Sequence, residues 1–202
     1  LSAPPTIGVL ALQGDIAEHL RVLGGLGVRT RSVLRADQLD DVDGLIIPGG
    51  ESTTMSKLAV RYDLMDPLRK HVGEGLPVYG TCAGMIMLAD RILDGTADQQ
   101  TVGGIDMTVR RNAFGRQSES FEAQVGIDGL AGDPVEALFI RAPWVESIGT
   151  DTVAIGQVSS GDRAGRIVAV RQGSLLATSF HPELTGDARI HGLFVDMVKG
   201  QA

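Results

Sequence analysis

Cys82 is the only cysteine among 202 residues, and it sits between two glycines in Gly80-Thr81-Cys82-Ala83-Gly84. The G-x-C-x-G spacing is that of a nucleophile elbow, where the chain turns so sharply from strand to helix that only residues without bulk fit on either side. A thiol at that apex would face the positive end of a helix, which favours the thiolate needed to attack a carbonyl. A lone cysteine is equally at home as a small core residue, so the pentapeptide by itself leaves both readings open.

Attack on an amide or ester needs a base that takes the thiol proton and returns it to the leaving group, and histidine is the usual choice. Of the four histidines, His19 and His71 fall in helix-patterned stretches and His191 in a third, where a solvated or capping role is expected. His181 instead follows Ala177-Thr178-Ser179-Phe180, at the end of a strand-like run. It would reach the same sheet edge as the elbow if that strand lies in the main sheet. Glu183 comes two residues later, across Pro182. In an extended segment the two side chains share a face, so the carboxylate could orient the imidazole and stabilise its charge. Taken alone, His-Pro-Glu also suits a surface turn. The third requirement is a set of backbone N–H groups for the developing oxyanion, which Pro48-Gly49-Gly50-Glu51-Ser52 could supply between a strand and a helix. A phosphate loop is the competing reading, but the G-x-x-x-x-G-K-[ST] pattern is missing and Glu51 would repel a phosphate.

Elements that must carry these groups can be read from periodicity. Ile7–Leu12, Val28–Leu34, Leu45–Ile47 and Val78–Tyr79 are strand-like apolar runs, interleaved with helical patterns from Asp15 (as N-cap, with Glu18 three residues on) to Gly24-Gly25, from Ser52 to Arg61, and from about Asp66. Apolar residues from Met85 to Leu88 continue the elbow as a helix. Beyond Gly103 the texture alternates. Ile105–Val109 and Phe121–Val125 read as antiparallel strands, followed by Val135–Ile140, Val153–Val158, Ile167–Val170 and Leu175–Phe180, with a turn at Gln172-Gly173. Ile190, Leu193, Phe194, Met197 and Val198 mark a closing helix. The expectation is α/β: one domain over residues 1–202, with a mostly parallel central sheet flanked by helices and an antiparallel extension.

Composition narrows the function. A hydrophobic content of 43% suits a packed core, and a net charge of −7 argues against a general nucleic-acid binder. One cysteine rules out an internal disulfide or a multi-cysteine metal site and points to a reducing compartment, with the cytoplasm as the expected location. No run approaches a membrane span.

The same residues carry a resemblance. Leu10–Asp15, Pro48–Met55, Gly80–Gly84, Arg111-Asn112-Ala113-Phe114-Gly115-Arg116-Gln117, Phe139–Pro143 and Ser179–Thr185 are similar to the class I (triad) glutamine amidotransferases and, within them, to the glutaminase subunits of pyridoxal 5'-phosphate synthase. The likeness runs from about Ile7 to Val198. It implies hydrolysis of L-glutamine to glutamate and ammonia, with Cys82 as nucleophile, His181 as general base and acid, and Glu183 as its orienter. It further implies that Gly49, Gly50 and Glu51 line the glutamine and oxyanion site and that Arg111, Ile140 and Arg141 contact substrate. The chemistry agrees, because glutamine offers a carboxylate to a guanidinium and an ammonium to Glu51. The implied partner is a (β/α)8-barrel synthase subunit that receives the ammonia through a channel, with no metal, cofactor, nucleic acid or membrane required. Leu1–Pro5 and Trp144 lie outside the family pattern. Two other readings remain: a γ-glutamyl hydrolase or peptidase on the same fold, distinguished by release of ammonia from glutamine, and a non-catalytic subunit, for which a lost triad residue is expected.

Overall fold

Continuous apolar runs form the middle of one mixed sheet in the computed structural model, which describes residues 3–114 and 120–202. The chain runs β1 (Thr6–Leu10), α1 (Ile16–Gly24), β2 (Arg29–Val33), β3 (Gly44–Ile47), α2 (Ser52–Arg61), α3 (Met65–Gly73), β4 (Val78–Thr81) and α4 (Ala83–Leu88). It continues through β5 (Ala89–Leu93), β6 (Ile105–Arg110), β7 (Ser120–Ile127), β8 (Val135–Ile140), β9 (Trp144–Ile148), β10 (Val153–Val158), β11 (Ile167–Gln172) and β12 (Leu175–Thr178) to α5 (Arg189–Val198). Along the sheet the order is β2-β1-β3-β4-β12-β11-β10-β7-β8. The five strands from β2 to β12 are parallel, and each neighbour beyond β12 is antiparallel. β5, β6 and β9 branch from β11 through β9.

Alternation along the central strands divides the apolar side chains between two layers. Leu45 and Ile47 of β3 pack with Met55 of α2, Leu68 of α3 and Met85 of α4 on one face. On the other face, Ile46 and Tyr79 pack with Leu23 of α1 and Phe194 of α5. Helices on both faces are what strands buried on both sides require.

The structure departs from the sequence expectations in several places. β6 is antiparallel to β9 but parallel to β5, so the antiparallel expectation for Ile105–Val109 holds on one side only. β5 was hidden because α4 passes into it at Ala89 without a glycine or proline. Pro143 likewise masked β9, where Trp144 pairs with Arg110. The proposed capping box at the start of α1 is absent: Asp15 makes no side-chain cap. Glu51 caps α2 instead, its carboxylate accepting from the Thr53 and Thr54 N–H groups at 3.0 and 2.8 Å. Gly115, Arg116 and Gln117 of the Arg111–Gln117 motif, and Leu1-Ser2, lie outside the described residues.

Candidate active site

Between β4 and α4 the backbone of Cys82 adopts φ 50° and ψ −104°, a left-handed conformation that is costly for a non-glycine residue. The flanking glycines explain how the turn closes. A Cβ on Gly80 would stand 2.3 Å from the carbonyl oxygen of Gly84, and one on Gly84 would stand 2.0 Å from that of Ile47. Neither obstacle can move, since both are backbone. The thiol emerges at the carboxyl edge of the sheet, 3.8 Å from the carbonyl oxygen of Ile140.

β12 lies beside β4 in parallel, with Thr178 paired to Thr81, so the chain after each strand leaves from the same edge. The Cys82 N–H donates to the Thr178 carbonyl at 2.8 Å and ties the elbow to the strand that delivers His181. His181 Nδ1 then meets Glu183 Oε1 at 2.7 Å. The two side chains converge through a 3-10 turn at Pro182–Leu184, not through the extended segment expected from their spacing. A second carboxylate, which the sequence reading took for a helix cap, also reaches this nitrogen: Asp15 Oδ2 lies 3.3 Å away. Its position directly after β1, at the same sheet edge, was the available signal.

These contacts set the proton affinities. Burial alone would push the His181 imidazole down, but hydrogen bonds to Asp15, Cys82 and Glu183 outweigh it and raise it to about 12. Burial raises the Glu183 carboxyl, against the opposing hydrogen bond and charge of His181. The hydrogen bond to His181 lowers that of Asp15. The arrangement therefore holds a proton on the imidazole between two carboxylates and a thiol. Asp15, His181 and Glu183 also bring metal-ligand atoms within 4.8 Å of one another, but both carboxylates already converge on the single Nδ1.

Gly49 packs against this ring so closely that a Cβ would come within 2.4 Å of His181 Cε1. The loop it belongs to is clasped from below. The Asp15 N–H donates to the Gly49 carbonyl at 3.1 Å, and the Glu51 N–H donates to Gln13 Oε1 at 2.8 Å. A cleft of about 500 Å³ opens over Cys82 and His181, walled by Gly50, Glu51, Arg111, Ile140 and Arg141 among others. Gly49 is thus behind the imidazole, and the other five residues singled out as substrate contacts border the cleft. Arg111 is not aimed freely into it: its guanidinium donates to Gln99 Oε1 at 2.9 Å and to Glu51 Oε1 at 3.2 Å. The opposed charges stand together at the cleft wall, where a substrate carrying both an ammonium and a carboxylate could engage the pair.

Two of the remaining histidines contradict the solvated or capping expectation. His19 and His191 are fully buried, with His19 Nδ1 2.9 Å from His191 Nε2. His71 is not a cap either: its Nδ1 lies 2.8 Å from the Pro67 carbonyl one turn back within α3, and its Nε2 3.0 Å from Asp40 Oδ1. Burial lowers His19 to about 3, assisted by the neighbouring His191, and lowers His191 to about 4. Below the ordinary histidine value of 6.5 the unfolded chain therefore takes up protons that the folded one refuses. Stability is present above 6.5 and is lost as pH falls towards these folded values, by up to about 1.4 kcal/mol per pH unit for each imidazole. His181 works in the opposite sense, but its contribution is complete below 6.5 and is lost only as pH rises towards 12. Urea midpoints measured from pH 7 to 5 should fall more steeply for the wild type than for His191→Phe. Parallel curves would show that His191 is not buried in its neutral form.

Comparison with known proteins agrees with this geometry. The family model described as SNO glutamine amidotransferase family matches residues 9–200. A pyridoxal 5'-phosphate synthase subunit PdxT from Nocardioides sp. is 62% identical over 198 residues, covering 98% of both chains. The subunit of the same name from Streptomyces avermitilis is 64% identical, covering 96% of this chain and 94% of that one. A crystal structure described as a glutamine amidotransferase superposes with a TM-score of 0.87 at 43% identity, covering 96% of this chain and 98% of the other.

Proposed function

The chain belongs to the SNO glutamine amidotransferase family, and we propose that Cys82, His181 and Glu183 hydrolyse the side-chain amide of L-glutamine within it. Its full-length likeness to PdxT proteins makes it the glutaminase subunit of a pyridoxal 5'-phosphate synthase, with a synthase subunit as partner. Among the described residues no helix is long and apolar enough to cross a membrane.

In the first half-reaction the Cys82 sulfur attacks the amide carbon, and its proton resides on His181 Nε2, the nitrogen not held by Glu183. The carbonyl π electrons move to oxygen. The first N–H of α4, on Ala83, and the N–H of Gly50 are the candidate oxyanion donors, since both residues border the cleft and a helix's first N–H has no intrahelical partner. Collapse of the tetrahedral adduct breaks the C–N bond, with His181 giving its proton to the departing nitrogen, so ammonia leaves and a γ-glutamyl thioester remains. Water, deprotonated by His181, then attacks the thioester. Glutamate departs and the returned proton restores the starting state. Glu183 orients the imidazole throughout and stabilises its charge. Arg111 and Glu51 suit the α-carboxylate and α-ammonium, and Arg141 and Ile140 complete the wall. The ammonia passes to a (β/α)8-barrel synthase subunit, and residues 1–202 act as one domain in the cytoplasm.

The observation that carries this reading is the β4–β12 register, which sets Cys82 and the His181–Glu183 pair at one sheet edge. Acid quenching of the enzyme–synthase complex during turnover of glutamine should leave a γ-glutamyl group on the peptide containing Cys82, with released ammonia exceeding glutamate by the amount of adduct. Turnover with no covalent adduct, or an adduct on another residue, would remove Cys82 as the nucleophile.

A further inference from the structure

Behind the triad, away from the cleft, lies a buried polar cluster that the reaction as written does not use. Glu183 Oε1 accepts from His181, but Oε2 is buried and has no hydrogen-bond partner among the described residues. His19 Nε2 stands 3.7 Å from that oxygen and 3.2 Å from Thr81 Oγ1, on the residue preceding the nucleophile. The other nitrogen of His19 meets His191 Nε2 at 2.9 Å, and His191 Nδ1 is the second buried side-chain atom without a partner. α1 and α5 are thereby connected to the back of Glu183 through two fully buried rings.

A neutral imidazole carries one N–H, so the pair has two self-consistent arrangements. In one, His191 carries its proton on Nδ1 and His19 on its own Nδ1, so that the His19 N–H donates to His191. This leaves a buried N–H on His191 with no acceptor and turns the bare lone pair of His19 Nε2 towards the Glu183 carboxylate. In the other, both rings are protonated on Nε2. His191 then donates to His19 Nδ1, and the His19 Nε2–H faces Thr81 Oγ1 and Glu183 Oε2. The atom left over is the His191 Nδ1 lone pair. An unpaired buried acceptor is tolerated more readily than an orphaned N–H, and a donor beside a carboxylate is favourable where a lone pair is repulsive. In this tautomer the two unpartnered atoms are both acceptors, and Glu183 Oε2 faces a donor at 3.7 Å rather than a lone pair.

We infer that His19, held in its Nε2–H tautomer by His191, is a positioning residue for the reaction, supplying the N–H that steadies the ionised Glu183 carboxylate from behind. The inference rests on the triad reading, since it assigns His19 to the support of Glu183. Both rings are kept neutral by their burial, as this donor arrangement requires. Besides Glu183, the ionisable groups around the cluster are His181 and Asp15 on the cleft side and the Tyr79 hydroxyl, which is occupied with Thr178 Oγ1 at 2.9 Å. Turnover should therefore depend on His19 through the proton transfers of His181, while glutamine affinity should not.

The direct measurement is long-range 1H–15N correlation of the imidazoles in the isolated wild-type chain, with assignments from His19→Gln and His191→Phe. Both rings should read as Nε2–H at neutral pH. An Nδ1–H form of either would overturn the inference, and because no glutamine is involved it would do so without touching the triad. In the complex with its synthase subunit, His19→Leu should lower kcat about 10- to 100-fold with KM for glutamine unchanged. His19→Gln, whose amide NH2 can occupy the place of Nε2–H, should retain most of the wild-type kcat. Equal loss in the two variants, or a change confined to KM, would show that His19 fills space only. If His19→Leu fails to fold, the tautomer measurement still decides.

Discussion

Cys82→Ala is expected to lower glutamine hydrolysis by about 10,000-fold or more, the scale on which removal of a covalent nucleophile falls. The fold should survive. Only one sulfur is lost, and the strained turn is fixed by Gly80 and Gly84 against backbone atoms rather than by the thiol. The N–H of residue 82 would still donate to the Thr178 carbonyl and keep β4 joined to β12. Tests of folding and of ammonia-fed synthesis separate the roles. Circular dichroism and the urea midpoint should stay close to wild type, and the variant bound to its synthase subunit should support pyridoxal 5'-phosphate formation when ammonium salt replaces glutamine. The missing step lies upstream of the synthase chemistry. Glutamine hydrolysis at the wild-type rate by the folded variant would mean that no thioester forms and that the cleft acts through water alone.

How much of this site could be read beforehand depended on whether its geometry is local. The elbow is local: two glycines around one cysteine state a steric requirement, and the structure meets it with Cβ-forbidden contacts on both sides. The parallel half of the sheet was legible for a similar reason, because strands buried on both faces must be apolar throughout, as Leu45–Ile47 is. His19 and His191 were not legible. They lie on α1 and α5, 172 residues apart, and only the fold brings them together behind Glu183. Asp15 shows how a correct local rule can mislead. Asp followed by Glu three residues later is a capping signature, yet one contact with a charged imidazole displaces it, and its carboxylate turns to His181 instead of the α1 backbone. Glu51 supplied the reverse case: a residue read for its charge towards substrate also caps α2. The Arg111–Glu51 contact is not legible in the sequence, because the two residues suit opposite ends of a glutamine and lie 60 residues apart, yet the fold sets their charges 3.2 Å from each other.

Docking of the synthase subunit is expected to raise glutamine turnover by up to about 100- to 1000-fold over the chain alone, the effect of gaining one oxyanion donor, or roughly 3 to 4 kcal/mol of transition-state stabilisation. The reason lies in how the Gly49–Gly50 peptide is held. Its carbonyl is fixed by the Asp15 N–H at 3.1 Å, and the next N–H, on Glu51, by the Gln13 side chain at 2.8 Å. The direction of the Gly50 N–H is therefore set by the Gln13–Asp15 segment, not by the catalytic residues. Gly14 lets the two segments lie this close: its φ is 105°, and a Cβ there would fall 1.7 Å from the Gly49 carbonyl oxygen. A partner that contacts the Gln13-Gly14 side can thus turn the Gly50 N–H towards the oxyanion while Glu183, 2.7 Å from Nδ1, keeps hold of the His181 ring that Gly49 and Asp15 also touch. The free enzyme would keep its triad but lack a donor, and glutamine would not be spent without an acceptor for the ammonia. Turnover at saturating glutamine, measured while the cognate synthase subunit is titrated in, should rise through kcat and saturate with complex formation. Equal rates with and without a subunit shown to bind would mean that the donor is already in place, and the loop coupling would then have no catalytic consequence.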